Sequence, residues 1–175
     1  VLKFNFEKLV EGDEKLRLIG NLPYNISTPL LFHLLSCSSI VQDMVFMLQK
    51  EVVDRICATE KTHAYGRLTI MIGYYCKSEA LFTVPASAFY PKPKVESKII
   101  HLTPYEKPPY IANDISCFEE VVRQAFNQRR KMLRQSLKSV PGALAALAAL
   151  DIDETQRAET LKVEEFVAIA RKLST

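Results

Sequence analysis

Glycine is scarce in this chain. Five glycines and nine prolines in 175 residues leave no low-complexity stretch, and no internal repeat is found, which excludes a repeat array. No apolar run approaches the roughly 18 residues that a membrane-spanning helix needs, and no charged, apolar, small-residue signal opens the sequence. Cys37, Cys57, Cys76 and Cys117 are irregularly spaced with no C-x-x-C. They read as buried free thiols of a reducing compartment rather than as a metal site. His33, His63 and His101 have no ligand spacing either. A cytoplasmic protein with no membrane or metal partner is expected. The chain begins at Val1, without Met, inside an amphipathic stretch, and further residues are expected upstream.

What is present suffices for one good core, or a core with a small satellite: the chain is 48% hydrophobic. The formal net charge is +3 and the pI about 8.6. That balance permits a nucleic-acid partner without arguing for one, so any basic footprint must be local.

Leu16 to Gly20 reads as a short buried strand, after which Ser27-Thr28-Pro29 opens a helix with a capping residue and a proline in its first turn. Leu30, Leu31, Leu34 and Leu35 give that helix an apolar stripe. Met44 to Leu48 is a second strand, and Gln49-Lys50-Glu51 leads into a helix carrying Val52, Val53 and Ile56. Tyr65 to Cys76 fits a buried helix or a strand, with the helix preferred. Glu79 to Val84 and Lys98 to Thr103 read as two more strands joined by a proline-rich loop. This alternation predicts a layered α/β unit over residues 1–106. Pro104 to Pro109 reads as a linker, and residues 112–175 as a small all-α domain. There Ser116 and Glu119 form a capping-box pattern, and Phe118, Val121, Val122, Ala125 and Phe126 recur at helical spacing.

Three constellations carry chemistry. The first is Asn21-Leu22-Pro23-Tyr24, at the end of the first strand. The Asn side-chain oxygen and the backbone carbonyl before Pro23 can accept both hydrogens of an exocyclic base amine, and Pro fixes where that carbonyl points. Tyr24 supplies a flat face for a base lifted from its stack. An ordinary Asn/Pro turn is the alternative. The second is Phe89 to Ser97, whose alternating prolines are expected to hold the segment extended and rigid. Phe89 could form a second wall of a base slot, with Lys92 and Lys94 meeting phosphates as point charges; Phe89 plugged into the core is the alternative. The third is Gln128-Arg129-Arg130-Lys131 with Arg134 and Lys138. Arg130, Arg134 and Lys138 fall at i, i+4, i+8 and are expected on one helix face, forming either a ridge for an RNA backbone or a solvated charged face.

Taken together, Asn21 to Pro29, Met47-Leu48-Gln49-Lys50-Glu51-Val52, Tyr65-Gly66-Arg67-Leu68, Phe89-x-Pro91-x-Pro93-Lys94-Val95-x-Ser97 and Ala125-Phe126-x-Gln128-Arg129-Arg130-Lys131 closely resemble, in the same order, the motifs of the small-subunit rRNA adenine N6,N6-dimethyltransferases. Arg157-Ala158-Glu159 before the last helix fits as well. Leu22 separates the chain from DNA adenine methyltransferases, where Pro is usual, and leans away from the antibiotic-resistance 23S methylases, where Ile is usual. The resemblance implies the C-terminal portion of a Rossmann-like class I methyltransferase sheet followed by the all-α domain. It implies transfer of methyl groups from S-adenosylmethionine to two adjacent adenines, in a hairpin near the 3′ end of 16S rRNA, on a pre-30S particle late in assembly. Asn21 would hold the amine and lie next to the methyl donor, with Leu22 supplying the carbonyl before Pro23, and Tyr24 and Phe89 would sandwich the base. Lys92, Lys94, Arg129, Arg130, Lys131 and Arg134 would meet RNA. A non-catalytic RNA-binding assembly module is the competing reading.

One departure is large. The glycine-rich turn and the ribose-binding acid of the family have no counterpart here, since Gly12, Gly20, Gly66, Gly73 and Gly142 form no G-x-G. The chain is therefore expected to lack most of the cofactor pocket and to be inactive alone. The strand ending at Asn21 is expected to lie at an unprotected apolar edge, prone to association. A soluble monomer at 19.9 kDa would contradict that expectation.

Overall fold

A computed structural model describes residues 1–174. Packing divides the chain into two units: Val1–Cys57 with Tyr75–Lys107, and Ala58–Tyr74 with Pro108–Thr175. The sequence divides most visibly at its proline-rich linker, but the packing boundary is discontinuous, and Ala58–Tyr74 groups with the later helices.

The first unit is a four-stranded sheet in the order β1-β2-β4-β3. It comprises β1 (Leu16–Asn21), α1 (Ser27–Leu35), β2 (Val41–Gln49), α2 (Lys50–Ile56), β3 (Cys76–Val84) and β4 (Ser97–Pro104). β1 and β2 are parallel, with Asn21 opposite Met47, so a crossover is required between them, and α1 supplies it. β2, β4 and β3 are antiparallel neighbours. The core face of the sheet carries Met44, Leu48, Ile100 and Leu102, all fully buried, while α2 contributes Val53 and Ile56.

β1 is an edge strand and departs from the buried strand expected. Its exposure alternates along its length, and Ile19 is 75% exposed, because only one of its edges is paired and only one of its faces is packed. Ser27 does not cap α1. The N-cap position is Ile26, and the Ser27 hydroxyl instead donates to the Tyr24 carbonyl at 3.2 Å. All four cysteines are free thiols, as expected, but only Cys76 is buried; burial pushes its thiol up to about 12.

The second unit holds α3 (Arg67–Tyr75, whose last residue groups with the sheet), α4 (Ile115–Asn127), α5 (Leu133–Ser136), α6 (Ala143–Ala149) and α7 (Val163–Leu173). α3 is the helix preferred for the ambiguous stretch, and Ile70, Met71 and Ile72 on it are fully buried. α4 buries Phe118, Val121, Val122 and Ala125, and α7 buries Phe166, Val167, Ile169 and Ala170. Rings join these helices: Tyr74 to Phe118 at 4.7 Å and Phe126 to Phe166 at 5.7 Å between centroids. Gly73 permits the close approach, since a Cβ there would meet Val163 Cγ2 at 3.3 Å. The Tyr65 hydroxyl donates to the Leu161 carbonyl at 2.7 Å, and burial first, then Glu60 and Glu165, raise its pKa.

Two local expectations fail in this unit. Asp114, not Ser116, caps α4, its carboxylate accepting from the Ser116 and Cys117 amides at 2.8 and 3.2 Å. A carboxylate two residues upstream is the stronger acceptor for those amides. Arg130, Arg134 and Lys138 do not share a helix face. α4 stops at Asn127, Gln128 and Met132 leave helical geometry, and the chain pairs with a later segment. The Leu133 amide donates to the Gln156 carbonyl at 2.8 Å and the Arg134 amide to the Glu154 carbonyl at 2.9 Å, with Met132 bridging to Arg157.

Candidate functional site

Asn21 ends β1 at the carboxyl end of the parallel pair, where open α/β sheets present ligand-binding groups. The turn that follows is held at several points. The Leu22 amide donates to the Met47 carbonyl at 3.2 Å, and the Leu22 side chain is buried. The Pro23 carbonyl accepts from the Ile26 amide at 3.1 Å, and the Tyr24 carbonyl from the Ser27 hydroxyl. The Tyr24 hydroxyl lies 2.7 Å from Ser97 Oγ, and Ser97 is itself fully buried as the first residue of β4. The exposed Asn21 side chain and the Leu22 carbonyl have no hydrogen-bond partner among the described residues, and neither do the Tyr24 and Asn25 amides or the exposed Asn25 side chain. The first two are the acceptors that the sequence pattern singles out.

Ser97 is the residue that sequence reasoning passed over. It stands in the second motif, yet nothing in the local sequence says that it anchors Tyr24 from 73 positions away. Its place in the sheet, opposite both Gln49 and Val84, makes it a rigid anchor.

The segment from Pro85 to Glu96 belongs to the same unit. After the short 3₁₀ turn Ala86–Ala88, Phe89 is half-buried with extended backbone, and Lys92 and Lys94 are exposed. The segment is not extended throughout: it bends at Phe89–Pro91, where the Tyr90–Pro91 peptide is cis, and again at Lys94–Val95. An antiparallel β3–β4 pair needs a connection that reverses direction, so no straight path serves. Its far end is tied back to the start of α2, with the Lys50 amide donating to the Glu96 carbonyl at 3.0 Å and Lys50 Nζ 3.7 Å from the Glu96 carboxylate. No direct ring contact joins Tyr24 and Phe89 among the described residues.

A second polar constellation on the sheet escaped the sequence reading. Arg17 reaches Asp43 through two hydrogen bonds, at 2.7 and 3.0 Å, and His101 Nε2 lies 3.1 Å from the same carboxylate. The Arg17 hydrogen bond, helped by His101, holds the Asp43 carboxyl below its usual value despite the opposing effect of burial.

In the second unit, Gln128, Arg129, Arg130 and Lys131 line a concavity of about 580 Å³. Arg129 is committed locally: its guanidinium donates to the Thr62 carbonyl at 3.3 Å and to Glu159 at 3.4 Å. Arg130, Lys131 and Arg134 are exposed.

The sheet with its Asn-Leu-Pro-Tyr turn, and the separate helical unit, define an α/β fold of the rRNA methyltransferase class. The structure superposes on a crystal structure of a dimethyladenosine transferase from Plasmodium falciparum with a TM-score of 0.81. That match covers 99% of this chain and 70% of that one at 26% identity. It also shares its fold with the 23S rRNA methyltransferase ErmE, at a TM-score of 0.65 and 22% identity over 94% of this chain and 68% of the other. Within that class the chain belongs to the ribosomal RNA adenine dimethylase family, whose model matches residues 1–175. It is 52% identical over 173 residues to Ribosomal RNA small subunit methyltransferase A of Pseudomonas aeruginosa, covering 99% of this chain and 64% of the relative. It is 56% identical over 169 residues to the protein of the same name from Hahella chejuensis, covering 97% and 62%. The chain thus spans less than two thirds of the length of these relatives.

Proposed function

We propose that the protein dimethylates the N6 amino groups of two adjacent adenines, in a hairpin near the 3′ end of 16S rRNA, using S-adenosylmethionine, on a pre-30S particle late in assembly. The names of the relatives support the small subunit as substrate. The observation that carries the chemistry is the pair of free acceptors, the Asn21 side chain and the Leu22 carbonyl, on a turn held at the Leu22 amide, the Pro23 and Tyr24 carbonyls and the Tyr24 hydroxyl.

The adenine amine is a weak nucleophile because its lone pair is delocalised into the ring. Accepting both its hydrogens, at Asn21 Oδ1 and the Leu22 carbonyl, orients the nitrogen lone pair outward and favours the pyramidal geometry that attack requires. Tyr24, held at its hydroxyl by Ser97, presents one face to the base, and Phe89 the opposite face. No general base is needed if the proton leaves after transfer. When bound, S-adenosylmethionine supplies an electrophilic methyl group on sulfur. The fit to that group is partial. Asn21, exposed at the strand end, suits a place beside the methyl donor, whereas the glycine-rich turn and ribose-binding acid have no counterpart in these 175 residues. The residues of this chain therefore account for the base side of the reaction alone. Lys92, Lys94, Arg130, Lys131 and Arg134 supply phosphate contacts, and Arg129 braces the basic turn while contributing its charge.

The test is methyl transfer to small-subunit particles by a protein of the relatives' full length. Asn21→Ala is expected to lower the rate by about a hundredfold or more while particle binding persists. Unchanged methylation by the variant would remove Asn21 from the site. A non-catalytic RNA-binding assembly module is the second reading, favoured by the exposed Arg130 and Lys131; it predicts binding with no methylation to lose.

A further inference from the structure

Beside the basic turn, and sharing Gln128 with it, lies a groove of about 460 Å³ in the second unit. Its lining is unusual in kind. Gln124, Asn127, Gln128 and Gln135 bring four carboxamides to one groove, Ser136 and Ser139 add hydroxyls, and Lys138 is its one charged residue among those described. No aromatic or acidic residue lines it among the described residues. Gln124 is held in a defined orientation, because its amide nitrogen donates to Glu120 at 2.8 Å, leaving its oxygen as the free acceptor. Glu120 is fixed in turn by two bonds from Arg123, at 2.8 and 2.7 Å. The side-chain amides of Asn127, Gln128 and Gln135 have no hydrogen-bond partner among the described residues.

A carboxamide carries a donor and an acceptor in one plane, the pattern that pairs two-for-two with a base edge, as Asn and Gln do with adenine. Such edges are open in unpaired RNA, whereas in an A-form duplex the deep groove hides them from side chains. An aromatic-free lining rules out stacking as the mode of recognition here. Lys138 can meet one phosphate as a point charge, and the adjoining Arg130 and Lys131 can meet the next ones.

We propose that this groove takes one or two unpaired nucleotides of the RNA and reads their edges through Asn127, Gln128 and Gln135. It would be a specificity site separate from the adenine slot at Asn21–Tyr24. The proposal rests on the reading of Gln128–Lys131 as an RNA contact, and the experiment separates the two.

The 175-residue chain is titrated by fluorescence anisotropy against labelled hairpin RNAs with loops of differing base composition, and against a fully paired duplex RNA, over a range of salt. Asn127→Ala with Gln135→Ala, both exposed positions, should weaken binding of the preferred loop about tenfold. Duplex affinity and the salt slope should stay unchanged, and circular dichroism should match that of the unaltered chain. Arg130→Ala with Lys131→Ala should instead weaken all RNAs alike and reduce the salt slope by about one for each phosphate no longer met. Loop binding that ignores the amide substitutions, or loses loop and duplex equally, overturns the groove proposal while leaving the basic turn standing. Displacement of the loop RNA by an acidic peptide through these same amides would assign the groove to a protein and overturn it too. An unaltered chain that binds none of the RNAs overturns both readings.

Discussion

The turn after β1 and the turn after α4 both have braced backbones, yet they present opposite chemistry. After β1, a buried leucine, a proline, a serine hydroxyl and the Tyr24–Ser97 bond fix the backbone, and what remains outward, the Asn21 amide and the Leu22 carbonyl among it, is neutral and directional. After α4, Arg129 with Glu159 and Thr62, and the pairing of Leu133 and Arg134 with Gln156 and Glu154, fix the backbone. What Arg130 and Lys131 hold outward there is charge on long flexible stems, beside the neutral amides of Asn127 and Gln128. On the proposed function the difference follows from what each turn would hold. Aligning a lone pair for displacement tolerates errors of only about half an ångström, which suits a turn held at Leu22, Pro23 and Tyr24. A phosphate backbone is met well by mobile cations, whose attraction falls slowly with distance.

The contrast between the two turns breaks most visibly at Tyr24. Tyr24→Ala in a protein of the relatives' full length should cut methyl transfer by about a hundredfold or more, with particle binding nearly intact. Equal loss of binding and rate would make the first turn a binding element like the second. Next in size, Arg130→Ala with Lys131→Ala should weaken RNA binding by about tenfold near physiological salt, with kcat at saturating RNA preserved. A fall in kcat without weaker binding would bring the basic turn into the chemistry. Smaller again, Tyr24→Phe and Ser97→Ala should each slow transfer roughly fivefold, the value of about one hydrogen bond. The double variant should be no slower than either single one, whereas additive losses would separate Ser97 from Tyr24. The smallest effect concerns the sheet that carries the first turn. Asp43 has a depressed folded-state pKa, so its contribution is complete above its ordinary value of 3.8 and is lost as pH falls through the lower folded value. Thermal melts across the acid range should show Asp43→Asn losing less stability than the unaltered chain as pH falls. Parallel curves would deny the Arg17–Asp43 pair that role.

Much of the first unit is legible in the sequence because its signals are local. Apolar runs bounded by Pro, Asn and Ser mark β1, β2 and the β3–β4 pair. The Asn21–Tyr24 pattern is readable for the same reason, since a proline after an apolar strand fixes the carbonyl before it. What escapes is long-range. Arg130, Arg134 and Lys138 keep helical spacing in sequence, and only the pairing of residues 132–134 with 154–157 breaks the helix. Arg17 lies 26 positions from Asp43, His101 lies 58 from it, and Tyr24 and Ser97 lie 73 apart. No window along the chain could join them. Ser116 passes for a cap because its motif is common, while Asp114 two residues earlier is the better acceptor.

The second unit cannot be cut from the chain as one continuous segment. Its polypeptide is written in two passages, one set between α2 and β3 and the other after β4. A gene segment beginning at Pro108 would omit Ile70, Met71 and Ile72, along with the ring and hydroxyl of Tyr65, and so a share of that unit's own interior. Substitutions in Ala58–Tyr74 therefore act on a core completed by helices encoded well downstream, past the whole of β3 and β4.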